Sequence, residues 1–368
     1  MALTQLDVQG YRSLHNVSLA LGQLNVVTGP NGSGKSNLYR ALWLISRLAE
    51  GRFARSISQE GGLLSAMWAG GRANPKDPVR MSLGFCTDDL AVQVRFGFPI
   101  PARTHFIYDP QIKEEAVWFG KQRRPTTTLV ERKNGMTSIR DLEGRRSDYP
   151  LELDPNESVL AQLREPHRFP ELFALQQEMI GWRFYHAFRT DEQSLIRTPQ
   201  VSVRTPVLSH DGCDLAAALQ TIQEIGDGHR LCETIQAALP GRRLSILANE
   251  PNPTSKSPRY TELQVALETD GCARPLVAKE LSDGTLKFLC LTAALLTPRP
   301  PSLIAFNEPE SSLHPDLLDP LARLIVDASR YSQVLVTTHS KVLAERISQL
   351  GKIEPVRLEL ECGMTVIR

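Results

Sequence analysis

The chain has 368 residues, of which 41% are hydrophobic, and its 42 basic and 41 acidic side chains leave a formal net charge of +1. This length and apolar content predict roughly two to three domains with real cores, or one head with an insertion. The near-neutral charge excludes a general electrostatic attraction to nucleic acid or anionic membrane, so any such contact must come from a local patch.

Cysteine usage and the N-terminal sequence indicate the compartment. The six cysteines are scattered and no two form a C-x-x-C pair, which argues against a zinc site and a disulfide framework and favours buried thiols in a reducing cytosol. The N-terminus lacks the basic start and apolar run of a signal peptide, and the longest apolar stretch, 288–296, is too short to span a bilayer. We therefore expect a cytoplasmic protein without membrane contact.

The first elements are two strands, a third strand and a helix. Apolar and polar residues alternate over 2–10 and again over 17–21, which is typical of half-buried strands. A short apolar strand at 24–27 then leads through a glycine-rich turn into an amphipathic helix predicted over 35–50.

The turn between this strand and helix has the full G-x-x-x-x-G-K-S pattern of a phosphate loop. Its glycines let the backbone curl with its N–H groups inward, and the helix directs its positive dipole end at the same anion. The lysine is placed to reach the β- and γ-phosphates of ATP, and the last serine to bind Mg²⁺. A strand–turn–helix corner without a ligand is the alternative. The turn consists of Gly29, Pro30, Asn31, Gly32, Ser33, Gly34, Lys35 and Ser36.

The middle of the chain begins with β-type patterns. Residues 51–78 are rich in glycine, proline and serine and are interpreted as loop with one short helix at 63–68. A period of two from 79 to about 146 predicts an antiparallel meander, with turns at Asp88-Asp89, Asn134-Gly135 and Glu143-Gly144. Its strands are predicted at 81–85, 90–96, 116–119, 129–132 and 137–141.

Helical patterns follow the meander. Two helices are predicted within 155–180, then a strand at 182–186, an irregular segment at 190–212, and two more helices at 214–225 and 229–239. A hairpin of strands 244–249 and 263–269 is predicted with its turn at Asp270-Gly271. The last hundred residues alternate helix and apolar strand, which predicts an α/β sheet. These elements are a helix at 282–296, a strand at 302–306, a helix at 317–328, a strand at 333–337, a helix at 341–350 and two short strands.

Acidic residues follow the buried strand at 302–306. The neutral Asn307 and the acidic Glu308 and Glu310 come after it. The carboxyl end of a buried parallel strand faces the ligand crevice in such sheets. Beside a Mg·ATP site, Glu308 can accept a proton from the attacking water or orient it. A surface acid at a strand end is the alternative.

Together these motifs resemble the ATP-binding-cassette-type heads of the RecF/SMC/OLD group, and most closely the compact bacterial AAA family ATPases. The resemblance implies an α/β P-loop NTPase of the ABC-ATPase type, with a mixed central sheet, helices on both faces, an antiparallel β meander and a helical insert. It implies an N-terminal ATPase lobe at 1–154, a helical insertion at 155–241 and a C-terminal ATPase lobe at 242–368. The segments that carry it are QGYRSL, GPNGSGKSN, ERKNG, WRFYHAF, LSHDGCDLAAAL, ELSDGT, FNEPESSLHP and VTTHS.

The resemblance also implies a homodimer that sandwiches ATP and Mg²⁺. The phosphate loop of one head, with Asn37, holds the nucleotide, and a signature motif at Ser282, Asp283 and Gly284 of the second head closes over the γ-phosphate. A helix that starts at Ser282 would offer an anion-binding end of its own, although the same sequence also suits a simple helix N-cap. The resemblance assigns the remaining roles as follows: catalytic base, Glu308; γ-phosphate sensor, His339; D-loop, Ser311 and Ser312; nucleotide contact, Arg12.

Three positions depart from the group's pattern or stay open. Asn307 stands where an aspartate is usual, and a neutral amide holds Mg²⁺ through one carbonyl without charge, so weaker metal binding or slower turnover is expected. Gln59 is the candidate for the Q-loop glutamine. Tyr11 either stacks on adenine or is a core aromatic at the end of its strand.

The client and the output of this ATPase are less determined by the sequence. Residues 121–146 hold eight basic and three acidic side chains, which either follow a DNA backbone or form a solvated hairpin face. No second catalytic centre is recognisable, so an effector on another chain is expected, in DNA repair or anti-phage defence. The alternatives are a slow or non-hydrolysing switch gated by ATP binding, and a transporter-coupled ATPase, which the ESSLHP sequence and the long insert disfavour.

Overall fold

The computed structural model describes residues 1–71, 80–99, 105–133, 135–141, 144–249 and 261–368. These residues form two compact units, one of residues 1–182 with 356–368 and one of residues 183–355. This grouping does not test the predicted division into two ATPase lobes and a helical insertion, which stays a prediction. Of the predicted turn residues, Asn134 and Glu143 lie outside the described ranges.

An antiparallel sheet dominates the first unit. Its strands are β1 (Leu3–Tyr11), β2 (Leu14–Ala20), β4 (Met81–Thr87), β5 (Leu90–Gly97), β6 (Gln111–Phe119), β7 (Thr128–Lys133), β8 (Met136–Arg140) and β9 (Arg146–Asp148). Over the described residues these eight strands pair in the order β2-β1-β4-β5-β6-β7-β8-β9. The predicted meander is confirmed, and the two N-terminal strands extend its sheet. Alternation explains the orientation of β2, whose Leu14, Val17 and Leu19 are buried while its polar residues face solvent.

Helices cover this unit at α1 (Lys35–Glu50), α2 (Phe53–Gln59), α3 (Leu63–Ala66), α4 (Val159–Gln162) and α5 (Pro170–Gly181). The long helix α1 has the predicted bounds, and it packs against β1, β4 and α5. The interpretation of 51–78 as loop with one short helix was wrong at α2. Two apolar residues one turn apart, Phe53 and Ile57, are buried there, and the Phe53 ring stacks on Phe96 with centroids 4.0 Å apart, so tertiary packing overrides the weak local signal.

The phosphate-loop strand of the first unit belongs to a separate, mixed arrangement. Strand β3 (Leu24–Thr28) runs parallel to β17 (Val356–Glu361), and β17 pairs antiparallel with β18 (Met364–Ile367). The end of the chain therefore returns to the strand that precedes the glycine-rich turn.

The second unit contains the parallel strands β10 (Arg183–Tyr185), β15 (Leu303–Asn307) and β16 (Gln333–Thr337), paired in that order. Every residue of β15 and β16 is buried, as expected of central parallel strands covered on both faces. The helices of this unit are α6 (Leu215–Ile225), α7 (Gly228–Ala238), α8 (Asp283–Leu295), α9 (Leu318–Ala328) and α10 (Lys341–Gly351).

A small antiparallel sheet completes the second unit, with strands β11 (Gln200–Val201), β12 (Arg242–Asn249), β13 (Glu262–Thr269) and β14 (Leu276–Val277). The hairpin of β12 and β13 is confirmed, but its predicted turn was wrong. Asp270 and Gly271 form a turn after β13 that leads towards β14, and the connection between the hairpin strands, 250–260, lies outside the described residues.

The helices and the cysteines of the described residues bear on two sequence-based expectations. In the described part of the chain, no helix combines the length and the apolar character that crossing a bilayer requires. All six cysteines are free thiols, and Cys86 and Cys290 are buried. The expectation of buried thiols was wrong for three others, Cys232, Cys272 and Cys362, which are exposed.

Candidate active site

The glycine-rich turn connects β3 to α1 in the first unit, as predicted. Gly32 and Gly34 have φ values of 81° and 102°, in the region that favours glycine. A Cβ on Gly34 would lie 2.1 Å from Thr365 Oγ1, and one on Gly29 would lie 2.3 Å from the Leu358 carbonyl oxygen. The close approach of the C-terminal hairpin therefore requires glycine at these positions and fixes the shape of the loop.

Lys35 is enclosed by this loop. Its Nζ donates to the carbonyl oxygens of Gly29 at 2.7 Å and Pro30 at 3.0 Å, and the residue is buried. The Ser33 hydroxyl is also buried and has no hydrogen-bond partner among the described residues, while Ser36 is half-buried in the first turn of α1. The Lys35 ammonium, the unpaired Ser33 hydroxyl and the N-terminus of the sixteen-residue helix α1 together fit a polyphosphate with its cation.

The C-terminal hairpin supports the loop through hydroxyl groups. Thr365 Oγ1 donates to the Ser33 carbonyl at 2.9 Å and shares a hydrogen bond of 2.7 Å with Ser13 Oγ. Asn37 Nδ2 donates to the same Ser13 Oγ at 2.9 Å. Asn37 therefore stabilises the loop indirectly, through Ser13. Its contact with nucleotide stays a prediction.

Arg12 and Tyr11 converge on one buried carboxylate that sequence reasoning missed. The Glu60 side chain is only 2% exposed, and it accepts from Tyr11 Oη at 2.7 Å and from Arg12 Nη2 at 2.9 Å. Burial, with the Glu60 charge second, raises the pKa of Tyr11 above its usual range. Tyr11 is fully buried. The structure therefore favours a role as a core aromatic over stacking on adenine. Arg12 remains 30% exposed, and its nucleotide contact stays a prediction, as does the Q-loop role of the exposed Gln59.

In the second unit the predicted acidic residues follow β15 directly. The Glu308 amide donates to the Thr337 carbonyl at 2.8 Å, and Thr337 Oγ1 donates to Asn307 Oδ1 at 2.9 Å. Asn307 is buried, and Glu308 has a φ of 51°, a left-handed conformation that is uncommon outside glycine and is often found at functional sites. The chain therefore places a half-exposed carboxylate at the end of a rigid central strand.

The turn after β16 brings the predicted histidine to these acids. His339 Nδ1 lies 3.7 Å from Glu308 Oε2 and 3.3 Å from Glu310 Oε1. The imidazole is 48% exposed, so it has access to a ligand. The predicted base and the predicted sensor are thus neighbours, and Glu310, to which no role had been assigned, contacts the histidine as well.

The predicted signature motif lies at the start of α8. Ser282 is its N-cap and accepts from the Thr285 amide, and a Cβ on Gly284 would lie 2.8 Å from the Ser312 carbonyl oxygen. A second link comes from Lys287, whose Nζ donates to the Ser311 carbonyl at 2.6 Å. Burial lowers the pKa of this ammonium, while the carboxylates of Glu310 and Glu308 act in the opposite direction. The signature helix and the predicted D-loop are therefore packed as one piece.

Asp283 depends on an arginine that sequence reasoning did not identify. Arg197 Nη2 contacts Asp283 Oδ1 at 2.6 Å. The guanidinium also donates to four backbone carbonyls, those of Thr190 at 2.7 Å, Ala278 at 2.9 Å, Lys279 at 3.4 Å and Leu281 at 2.8 Å. The Arg197 side chain is 9% exposed and the Asp283 side chain 59%. The sequence signal for this role is weak, because Arg197 lies in the segment 190–212, which is predicted to be irregular.

The predicted basic segment forms the outer strands of the antiparallel sheet. Arg123 and Arg146 both pair with Glu131, at 2.7 Å and 3.3 Å. Arg140 donates to the carbonyl oxygens of Pro125 and Thr126. Several of the segment's cations therefore also stabilise its own turns.

Comparisons with known proteins identify the family of the chain. A family model described as "AAA domain, putative AbiEii toxin, Type IV TA system", and named AAA_21, matches residues 24–345. A search of curated proteins found no match.

Solved structures of SMC heads share the fold. The SMC head bound to the C-terminal winged-helix domain of ScpA aligns with a TM-score of 0.53 and 15% identity, over 100% of this chain and 98% of that one. The SMC head from Pyrococcus furiosus, bound to the C-terminal domain of ScpA, aligns with a TM-score of 0.53 and 13% identity, over 100% and 96%. The chain thus has the SMC head-like α/β fold of a P-loop NTPase, with mixed sheets and helices on both faces, as predicted.

Proposed function

This chain belongs to the AAA_21 family, and from that premise we propose that it binds Mg·ATP at the phosphate loop and hydrolyses ATP in a homodimer. The observation that carries the proposal is the loop itself, in which Lys35 is held across two backbone carbonyls at the start of α1. On binding, the ammonium would exchange these carbonyls for phosphate oxygens, and the α1 N–H groups would face the same charge.

The metal ligands follow from the donor chemistry. In the first unit the residue that would hold Mg²⁺ is Ser36, through its hydroxyl. In the second unit, taken by itself, Asn307 offers an amide oxygen, which is also a suitable ligand for this ion. When bound, Mg²⁺ supplies charge neutralisation on the β- and γ-phosphates.

Hydrolysis is assigned to the acid–histidine pair of the second unit. We assign Glu308 the task of orienting the attacking water and accepting its proton, and His339 the contact with the γ-phosphate. The 3.7 Å separation of His339 Nδ1 and Glu308 Oε2 supports this pairing, because it brings the proposed base and the proposed sensor together.

The homodimer is supported by the surface around the signature motif. A cleft of about 820 Å³ opens there, and it is lined by the α8 N-terminus at Ser282 and Gly284 together with Ser312, His314 and Arg242. The Arg242 guanidinium and the N-terminus of α8 suit the triphosphate held by a second copy, although the carboxylates of Asp283 and Asp316 line the same cleft. A two-fold arrangement would complete both sites at once.

A cytoplasmic partner chain is the proposed effector. Two of the similar SMC heads are bound to a domain of ScpA, and the family description names a toxin of a type IV toxin–antitoxin system. The ScpA-bound heads support a separate partner chain, and we propose that this partner is an effector in DNA repair or anti-phage defence.

DNA is the proposed client through residues 121–146. The support is the excess of eight basic over three acidic side chains, with Arg123 and Arg146 still 38% and 39% exposed. We expect alanine at four arginines to weaken DNA binding and to reduce its salt dependence by about one counterion for each arginine that touches a phosphate. A wild-type protein that does not bind DNA at low salt would contradict this. The four are Arg123, Arg124, Arg145 and Arg146.

A slow, ATP-gated switch is the second candidate, and the observation in its favour is Asn307. This residue is neutral, and its side-chain oxygen already accepts from Thr337. At an ATP concentration about 100 times the dissociation constant, binding alone shifts a dimer equilibrium by about 2.7 kcal/mol, which is enough to act as a gate. Steady-state phosphate release separates the two candidates.

Titration calorimetry and light scattering test the main proposal. Lys35→Ala is expected to abolish ATP binding, whereas Lys133→Ala, which removes the same charge from an exposed site of the same unit, leaves it unchanged. Glu308→Gln keeps every binding group and is expected to trap an ATP-bound dimer. Equal ATP affinity in wild type and Lys35→Ala, or a Glu308→Gln protein as monomeric with ATP as the wild type, would refute it.

A further inference from the structure

One buried carboxylate, Glu310, organises the turn that carries the proposed sensor. Its Oε1 accepts three hydrogen bonds, from Thr338 Oγ1 at 2.5 Å, the His339 amide at 3.0 Å and the Ser340 amide at 3.1 Å. The same oxygen is 3.3 Å from His339 Nδ1. Four polar contacts on one oxygen, from three successive residues, define the turn from a single point.

The burial of Glu310 makes this arrangement specific. Its side chain is only 5% exposed, so the carboxylate gains little from solvent and depends on these donors. Its second oxygen, Oε2, is buried without a hydrogen-bond partner among the described residues. Since buried polar atoms are normally paired, an orphaned one in a native structure calls for a reason.

The neighbouring cation, Lys287, does not explain why the carboxylate of Glu310 is buried. Lys287 interacts with Glu310 electrostatically, but its hydrogen bond goes to the Ser311 carbonyl at 2.6 Å. Among the described residues Glu310 thus has no ion-pair partner other than the imidazole of His339. A carboxylate used only for packing could be replaced by an apolar residue at lower cost.

We propose that Glu310 is a positioning residue for the reaction, which fixes the turn at 338–340 and thereby holds the imidazole of His339 beside Glu308. The inference rests on the proposed hydrolysis and adds a second carboxylate, beside that of Glu308, to it. Glu310 does not itself contact substrate. It acts through the backbone of the turn and through Nδ1 of the histidine, before any partner chain or nucleotide arrives.

Three variants separate the contributions of Glu310. Glu310→Ala removes every acceptor, Glu310→Gln keeps one oxygen for the same donors, and Thr338→Val removes one donor at nearly constant shape. Glu345→Ala, on the exposed face of α10 that follows the turn, is the matched control for loss of a carboxylate. The readouts are kcat and KM for phosphate release, and amide hydrogen exchange at His339 and Ser340 without nucleotide.

The expected pattern is a kcat effect without a KM effect. Misplacement of a catalytic group by about 1 Å costs about 100-fold, so Glu310→Ala should lower kcat by about 10- to 100-fold with KM within about two-fold, because the phosphate loop is untouched. Exchange of the two amides should accelerate about ten-fold or more. Glu310→Gln should recover most of both signals, and the control should match wild type.

Other outcomes have defined meanings. An unchanged kcat in Glu310→Ala, or equal losses in the alanine and glutamine variants, would overturn the positioning role. If Glu310→Ala does not fold, Thr338→Val decides, and wild-type kcat with wild-type exchange would overturn the proposal. If the wild type itself releases no phosphate, the proposed hydrolysis fails, and exchange at His339 and Ser340 alone then supports or overturns the role of Glu310 in the turn.

Discussion

Replacing Arg197 by alanine is expected to destabilise the segment that ends at the signature motif. The guanidinium donates to the backbone carbonyls of Thr190, Ala278, Lys279 and Leu281, and contacts Asp283. Three of these carbonyls lie shortly before the N-cap at Ser282. The side chain is 9% exposed, so solvent cannot replace the missing donors without a rearrangement.

The magnitude follows from these contacts. A buried polar group left unpaired costs about 1–3 kcal/mol, and the costs for the four carbonyls that Arg197 contacts are not additive, because these groups share one partner. We expect the free energy of unfolding to fall by about 3–5 kcal/mol, which is a large part of the roughly 5–15 kcal/mol typical of a protein. The ion pair contributes little of this, because Asp283 is 59% exposed and exposed pairs contribute about 0–1 kcal/mol.

Urea denaturation of three variants checks the reasoning. Arg197→Ala should show the full loss, Arg197→Lys an intermediate one because an ammonium lacks the planar fork that reaches several acceptors, and Asp283→Asn a loss below about 1 kcal/mol. ATP-dependent dimerisation should weaken in the same order. A loss in Asp283→Asn as large as in Arg197→Ala would show that the ion pair, and not the set of carbonyl hydrogen bonds, holds this segment.

Two further predictions concern charge. Asn307→Asp adds the charge that Mg²⁺ prefers, so we expect tighter Mg²⁺ binding by calorimetry and faster phosphate release; slower release of phosphate would contradict the role of Asn307. Burial raises the pKa of Glu115 to about 7 from its usual 4.5, so the folded protein keeps a proton that the unfolded chain loses in this range. At about 1.36 kcal/mol per pH unit, the free energy of unfolding should fall by about 3 kcal/mol as pH rises from 4.5 to 7, and Glu115→Gln should abolish that fall.

Features encoded by neighbouring residues could be predicted from the sequence. The glycine-rich turn, the bounds of α1 and the strand β16 all depend on short spacings, because backbone conformation and one-face burial repeat over a few residues. The placement of Glu308 and of His339 just after buried strands was also predicted, and since parallel strands end at the same edge, this accounts for their approach. In each case a local pattern was enough to place the residues.

Features that depend on distant partners could not be predicted. Arg197 lies 81 residues before Ala278 and 86 before Asp283, in a segment without periodicity. Glu60 accepts hydrogen bonds from Tyr11 and Arg12, which lie 49 and 48 residues away in the sequence. It follows α2, a helix that the composition of its segment did not predict. A buried charge is costly without partners, but the sequence alone does not show which charges are buried.

The contacts in the second unit give the order of its motifs a physical meaning. Gly284 approaches the Ser312 carbonyl, and Glu310 holds the turn at His339, so the segment 308–312 links the signature helix to the histidine. Both ends of this segment are constrained, with φ values of 51° at Glu308 and 65° at Ser312. Because left-handed residues have few alternative conformations, the segment has little freedom to absorb a displacement. A second copy that binds at the α8 N-terminus would therefore act on the acid–histidine pair through this backbone, and dimer formation and hydrolysis should respond together to variants within it.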